Sequence, residues 1–147
     1  MEENKDDIRL RIMAPDTTSE VAVPMASSRV SAGFPSPAED FLEPSLDLNR
    51  TLVRNPASTF FARVSGESMK DAGIHDGDLL VVDKSIEPYD GCIAVCFLDG
   101  EFTLKRVKTD GRRVTLLPAN DHYRPIEIRP DDEFAVWGVV TYSIQKF

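Results

Sequence analysis

Four Asp-Gly dipeptides constrain the fold of this chain more than any other feature. They occur at 76–77, 90–91, 99–100 and 110–111, each beside an apolar or alternating run. Asp-Gly is a preferred pair for tight turns between antiparallel strands, because its residues tolerate positive φ. The clearest hairpin is AVCFLDGEFTLKRV, with Asp99-Gly100 at its tip, and further strands are predicted at 79–83, 114–118 and 134–144. Residues 40–53, interrupted by Pro44, suggest short helical turns. The sequence therefore predicts one compact, mostly antiparallel β domain.

The first 32 residues differ in composition from the rest of the chain. They contain no Phe, Tyr or Trp, whereas all twelve aromatic residues lie beyond them. A segment so poor in large apolar side chains can bury little area, so we predict a flexible arm over 1–32 that adds little to the core. Within it, IRLRIM at 8–13 and VAVPM at 21–25 could form short strands against the body or a partner. The β-rich body is predicted to cover 33–147.

Charge and hydropathy exclude several functional classes. The formal net charge of −8 disfavours direct binding to nucleic acid, whose phosphates attract basic surfaces. No apolar run approaches the roughly 18 residues of a membrane helix, and the polar start MEENKDD is no signal peptide. We therefore expect a cytoplasmic protein that does not bind membranes.

The two cysteines, Cys92 and Cys96, lie in GCIAVCF, which is typical of a strand. Their Cα atoms would then be roughly 13 Å apart, too far for a disulfide. We predict buried, apolar thiols in a reducing compartment. No metal-site spacing joins them to His75 or His122, and no metal or cofactor is expected.

A serine stands at a tight bend after an apolar strand, in FARVSGESMKDAG at 61–73. The Ser68 hydroxyl is a weak nucleophile unless a base removes its proton, and SGES by itself could be an ordinary polar turn. His75 and His122 are available as bases, but both lie in predicted loops and neither has an obvious orienting partner. A Ser–His–Asp triad is therefore disfavoured.

A lysine on an apolar strand is the other candidate base. Lys105 lies in FTLKRV, between Leu104 and Val107, and shares a strand face with Thr103. A neutral lysine requires its pKa to fall from about 10.4 to near 8, which burial among apolar side chains can achieve. From spacing alone, a lysine on a solvent-facing strand surface is the commoner arrangement.

The motifs in combination resemble the self-cleaving serine proteases of the LexA/UmuD family. The matching stretches are AGFPSPAEDF at 32–41, SGESM at 65–69, GIHDGDLLVVD at 73–83 and DGEFTLKR at 99–106. The resemblance runs from about Ala32 to Val140 and implies a LexA- or signal-peptidase-like antiparallel β fold. It also implies that Ser68 is the nucleophile and Lys105 the general base. Members cleave themselves at an Ala-Gly or Cys-Gly bond ahead of the body, which Ala32-Gly33 matches.

The resemblance also implies how the product would be used. It predicts a homodimer whose arms are removed after DNA damage, in the SOS response, on contact with a RecA filament on single-stranded DNA. The trimmed dimer would join a UmuC-type Y-family polymerase in error-prone translesion synthesis. The developing oxyanion would be held by backbone N–H groups at the turn, those of Glu67 and Ser68.

Three other interpretations stay open. A non-catalytic β-rich interaction module of a polymerase complex would share the fold. A LexA-like repressor is disfavoured unless the chain is a fragment of one, because the 32 residues before Gly33 carry six acidic against four basic residues and are too few for a three-helix DNA-binding domain. A signal-peptidase-like enzyme that acts on other proteins would be expected to carry a membrane anchor.

Overall fold

A computed structural model describes residues 8–20, 22–26 and 42–147, and for 22–26 and 42–45 it describes the backbone alone. The chain divides into two compact units. One contains residues 1–15 and 55–147, and the other contains 16–54. This division does not follow the predicted boundary between 32 and 33, which lies outside the described residues and stays a prediction.

The larger unit is built on one antiparallel sheet of eight strands. Its strands are β1 (Arg9–Met13), β4 (Thr59–Ser65), β5 (Leu79–Asp83), β6 (Ile93–Leu98), β7 (Glu101–Thr109), β8 (Val114–Leu117), β9 (Ile126–Glu127) and β10 (Phe134–Ile144). Their order in the sheet is β1-β4-β5-β10-β6-β7-β8-β9. The predicted fold class is confirmed.

The Asp-Gly turns explain this topology. Gly77, Gly91, Gly100 and Gly111 all have positive φ, between 85° and 90°. At the β6–β7 hairpin Asp99 also has positive φ, 48°, as a two-residue type I′ turn requires. The predicted hairpin at Asp99-Gly100 and the strands at 79–83 and 134–144 are confirmed, and β8 ends at Leu117, one residue before the predicted end.

Two apolar clusters cover the two faces of the sheet. Cluster 1 contains Ile8, Ala62, Val64, Met69, Ile74, Leu80, Val82, Val95 and Leu104. Cluster 2 contains Cys92, Ala94, Cys96, Val107, Leu116 and Val139. Both cysteines are buried and free, as predicted, and burial raises the pKa of the Cys96 thiol to about 12. Strand β1 also contacts β7, which lies five positions away in the sheet order, so the sheet curls.

The smaller unit contains the two-stranded sheet of β2 (Ala22–Ala26) and β3 (Leu42–Asp47), followed by helix α1 (Leu48–Leu52). The prediction of helical turns over 40–53 is right for α1 and wrong for β3. Pro44 lies in a register shift of the β2–β3 pair, where a residue without an N–H can be placed in a sheet. The helix begins after Asp47, whose side chain accepts a hydrogen bond from the Asn49 N–H at 3.0 Å.

Strand β1 comes from the predicted arm. The prediction that 8–13 could form a strand against the body is confirmed, because β1 pairs with β4 from Arg9↔Ser65 to Met13↔Phe61. The prediction that the arm adds little to the core is wrong for Ile8, which is 1% exposed and belongs to cluster 1. Composition missed it because one aliphatic side chain can fill a core position without any aromatic neighbour in sequence. Of the helices in the described part, none is long and apolar enough to cross a bilayer.

Candidate active site

The turn after β4 buries Ser68. Gly66 has φ of 102°, a conformation that favours glycine, and its N–H donates to Asp76 Oδ1 at 3.0 Å. The next residues turn sharply into a short 3-10 helix, Lys70–Ala72. Met69, fully buried in cluster 1, anchors the turn to the core. As a result, the Ser68 side chain is fully buried although the surrounding segment is polar.

The Ser68 hydroxyl has an unusual environment. Its Oγ is the one buried side-chain oxygen or nitrogen in the described part of the chain that has no hydrogen-bond partner. Leaving a buried hydroxyl unpaired costs about 1–3 kcal/mol, so native proteins rarely do so without a functional reason. An unpaired, buried hydroxyl at a sharp turn is the arrangement expected of a nucleophile that waits for its substrate.

The backbone around Ser68 offers free donors. Within the described residues, the N–H groups of Lys70 and Asp71 are used, donating to Glu67 O at 3.1 Å and to Ala119 O at 2.7 Å. Those of Glu67 and Ser68 make no hydrogen bond to any described residue. They are therefore available to an oxygen that develops negative charge beside Ser68, which is the role predicted for them.

Lys105 lies in the middle of β7 and is 1% exposed. It pairs with Ala94 of β6, and its Nζ donates to Thr103 Oγ1 at 3.1 Å and to Leu104 O at 3.3 Å. The solvent-facing alternative is therefore wrong. Burial lowers the pKa of Lys105 to about 8, because an ammonium group is poorly solvated among apolar side chains.

A residue that the sequence did not reveal connects the Ser68 turn to the Lys105 strand. Asn120 is 7% exposed, and its Nδ2 donates to Glu67 O at 2.9 Å. Residues 118–120 form the loop after strand β8, in which Leu117 pairs with Arg106, the neighbour of Lys105. The Ser68 turn is thus fastened to the loop after β8, and β8 is the strand that pairs with the Lys105 strand. The burial of Asn120 could not be predicted, because its sequence context, NDHY, is typical of an exposed polar loop.

Ser68 Oγ and Lys105 Nζ are not hydrogen-bonded to each other. Catalytic groups are often separated in a substrate-free site and approach only when the substrate binds. The chemistry of a Ser–Lys pair therefore requires Ser68 Oγ and Lys105 Nζ to come within hydrogen-bond distance.

The histidines are more exposed than Lys105. His75 Nδ1 lies 3.7 Å from Glu67 Oε2, so the prediction that it lacks an orienting partner is wrong, since the fold brings residues 67 and 75 together. Both side chains are about half exposed, however, and Ser68 Oγ is bonded to neither. His122 is exposed in its loop.

The predictions of the cleavage site and of no metal ion depend on which residues the structure describes. The Ala32-Gly33 bond lies outside the described residues. In those that are described, no group of three or more His, Cys, Asp or Glu side chains is arranged to hold a metal ion.

Comparison with known proteins agrees with the motifs. The family model described as peptidase S24-like matches residues 24–141. The chain is 44% identical to protein SamA of Salmonella typhimurium, over 93% of this chain and 96% of SamA. It is 45% identical to protein MucA of Escherichia coli, over 84% of each chain. It is also 41% identical to the LexA repressor of Bordetella avium, over 86% of this chain but 59% of that repressor.

Proposed function

The chain belongs to the peptidase S24-like family, and within it we propose that this protein is a self-cleaving serine protease. Ser68 is the nucleophile, Lys105 is the general base, and the bond cleaved is Ala32-Gly33 in the chain itself. The observation that carries the proposal is a pair of buried polar groups, the Ser68 hydroxyl, without a partner among the described residues, and the Lys105 ammonium, whose residue is 1% exposed. Each is costly for stability, which favours a catalytic role for both.

The steps follow from the chemistry of these groups. Neutral Lys105 Nζ takes the proton of Ser68 Oγ, which attacks the Ala32 carbonyl carbon while the N–H groups of Glu67 and Ser68 stabilise the oxyanion. The Lys105 ammonium then gives its proton to the Gly33 nitrogen, the peptide bond breaks, and Ala32 is left as an ester on Ser68. Water, deprotonated by Lys105, hydrolyses this ester and restores the Ser68 hydroxyl. Because the substrate is part of the chain, its effective concentration is high and a slow dyad suffices.

The biological role proposed here rests on the resemblance and on the identity to SamA and MucA. After DNA damage, a RecA filament on single-stranded DNA would promote cleavage. The product, residues 33–147 as a homodimer, would act in the cytoplasm as the accessory subunit of a UmuC-type translesion polymerase.

The dyad is tested by mass spectrometry of the purified chain, incubated with and without a RecA–single-stranded DNA filament. The parent should yield fragments 1–32 and 33–147, the second beginning Gly-Phe-Pro. Ser68→Ala and Lys105→Arg should yield neither, because the first lacks the nucleophile and a guanidinium stays protonated. Gly33→Glu should block cleavage while leaving the dyad intact. Cleavage of Lys105→Arg at the parental rate would exclude lysine as the base.

A non-catalytic interaction module is the second candidate, and the absence of a Ser68–Lys105 hydrogen bond favours it. The same incubation distinguishes the two functions, since a module stays intact with the filament present. The role in bypass is tested by reconstituting a UmuC-type polymerase with the 33–147 product or with Ser68→Ala protein. The trimmed form should support more lesion bypass, and equal bypass would show that cleavage is not the switch.

A further inference from the structure

Among the described residues, the outer edge of β4 pairs only with β1, the end strand on that side of the eight-stranded sheet. The Val64 N–H donates to Asp78 O, and Val64 O accepts from the Gly77 N–H, so the backbone groups of Val64 point toward β5. Successive residues of a strand alternate between its two neighbours. The N–H and C=O groups of Phe61, Arg63 and Ser65 therefore point toward β1, and without β1 they form an open sheet edge.

Strand β1 also covers apolar surface on one face of this edge. Ile8 is buried in cluster 1, and Leu10, half-buried, packs against the same cluster. In the register, Leu10 lies opposite Val64 and Ile12 opposite Ala62. The edge thus combines a row of backbone partners with positions for three apolar side chains at alternate residues.

The charges of the β1–β4 pair are mismatched. Arg11 lies directly opposite Arg63, and both side chains are exposed. The Arg63 guanidinium donates to Gly77 O at 2.9 Å, and neither arginine has a carboxylate partner in an ion pair within the described part of the chain. Like charges at directly opposed positions weaken strand pairing. Strand β1 is therefore a replaceable occupant of this edge.

We propose that the β4 edge is a docking site for an extended segment of another protein, in which an acidic residue takes the place of Arg11. Such a segment would carry apolar residues at the three alternate positions of Ile8, Leu10 and Ile12, and would add to the sheet by backbone pairing. Its carboxylate would face Arg63, so an attraction between opposite charges would replace the repulsion between Arg11 and Arg63. A second copy of this chain is a poorer occupant, because its own β1 brings the same Arg11 to the same Arg63. The proposal rests on the proposed function, because cleavage at Ala32-Gly33 is the step that would separate β1 from the β4 edge.

The charge preference is testable in the intact chain by hydrogen exchange at the amides of Phe61 and Arg63, which face β1. Arg11→Glu should slow their exchange about fivefold, since a repulsive cross-strand pair becomes an attractive one. Arg11→Lys, the matched control, keeps the like charges and should leave exchange unchanged. Adding Arg63→Glu to Arg11→Glu should restore the parental rate. Equal exchange in Arg11→Glu and Arg11→Lys would overturn the proposal.

Docking is tested on the cleavage product, residues 33–147, which we call the processed chain. Two labelled peptides are added to it: residues 7–14, and the same peptide carrying Arg11→Glu. The acidic peptide should bind about fivefold more tightly, and Arg63→Glu in the protein should reverse the order. Equal affinities, or self-association of the processed chain with no binding of either peptide, would overturn the proposal. If the proposed self-cleavage does not occur, no 33–147 product forms, which is a different result from either of these. The hydrogen-exchange experiment on the intact chain then tests the charge preference of the β4 edge.

Discussion

The pH dependence of unassisted cleavage tests the proposed role of Lys105 most directly. A buried lysine acts as a base only in its neutral form, so the rate should follow the neutral fraction of Lys105. With the pKa lowered to about 8, that fraction is about 9% at pH 7, 50% at pH 8 and 91% at pH 9. The rate should therefore rise about tenfold from pH 7 to pH 9 and level off above it.

A solvent-exposed lysine predicts a different curve. With an ordinary pKa of 10.5, the neutral fraction would rise about 100-fold over the same interval and would still be rising at pH 9. The assay is the rate of formation of the 33–147 fragment between pH 6 and pH 10, without any filament. Ser68→Ala serves as the blank, and circular dichroism at each pH confirms that the chain stays folded. A rate independent of pH between 7 and 9 would refute Lys105 as the base.

Three further outcomes follow from burial. Lys105→Met should raise the free energy of unfolding by about 2–3 kcal/mol at pH 7, because burial disfavours the ammonium form. Lys105 keeps its proton up to about pH 10.5 in the unfolded chain but only to about pH 8 in the folded chain, so the stability of the parent rises between these pH values and the advantage of Lys105→Met disappears. Urea unfolding of both proteins at pH 7 and pH 10 measures this change. A stability difference that is the same at both pH values would show that burial of the ammonium group is not its cause. Ile8→Ala should lower stability by about 2–4 kcal/mol in the same assay, whereas a change under 0.5 kcal/mol would mean that β1 is not docked in solution. Asn120→Ala should slow cleavage at least tenfold, because it releases the Ser68 turn from the loop after β8. The midpoint of the rise in cleavage rate with pH should stay near 8, and a shifted midpoint would instead indicate that Asn120 changes the pKa of Lys105.

The strands and turns could be predicted because their signals are local. An Asp-Gly pair needs no distant partner to favour a turn, and alternating apolar residues identify a strand by themselves. The prediction of helical turns is wrong for 42–47, because Pro44 is compatible both with the end of a helix and with an irregular strand position. The state of this segment was decided by pairing with β2, which lies far away in sequence.

The fold class, the hairpin at Asp99-Gly100 and the residue types suited to a hydrolase, Ser68 and Lys105, can all be inferred from the sequence alone. The tertiary structure alone shows that Lys105 is buried rather than solvated, that the Ser68 hydroxyl has no partner among the described residues, and that Asn120 donates to Glu67 O in the Ser68 turn. It also decided that Ile8 fills a core position. The physical reason is common to all four. Burial and hydrogen bonding depend on which distant strands meet, and that information is absent from any single stretch of the chain.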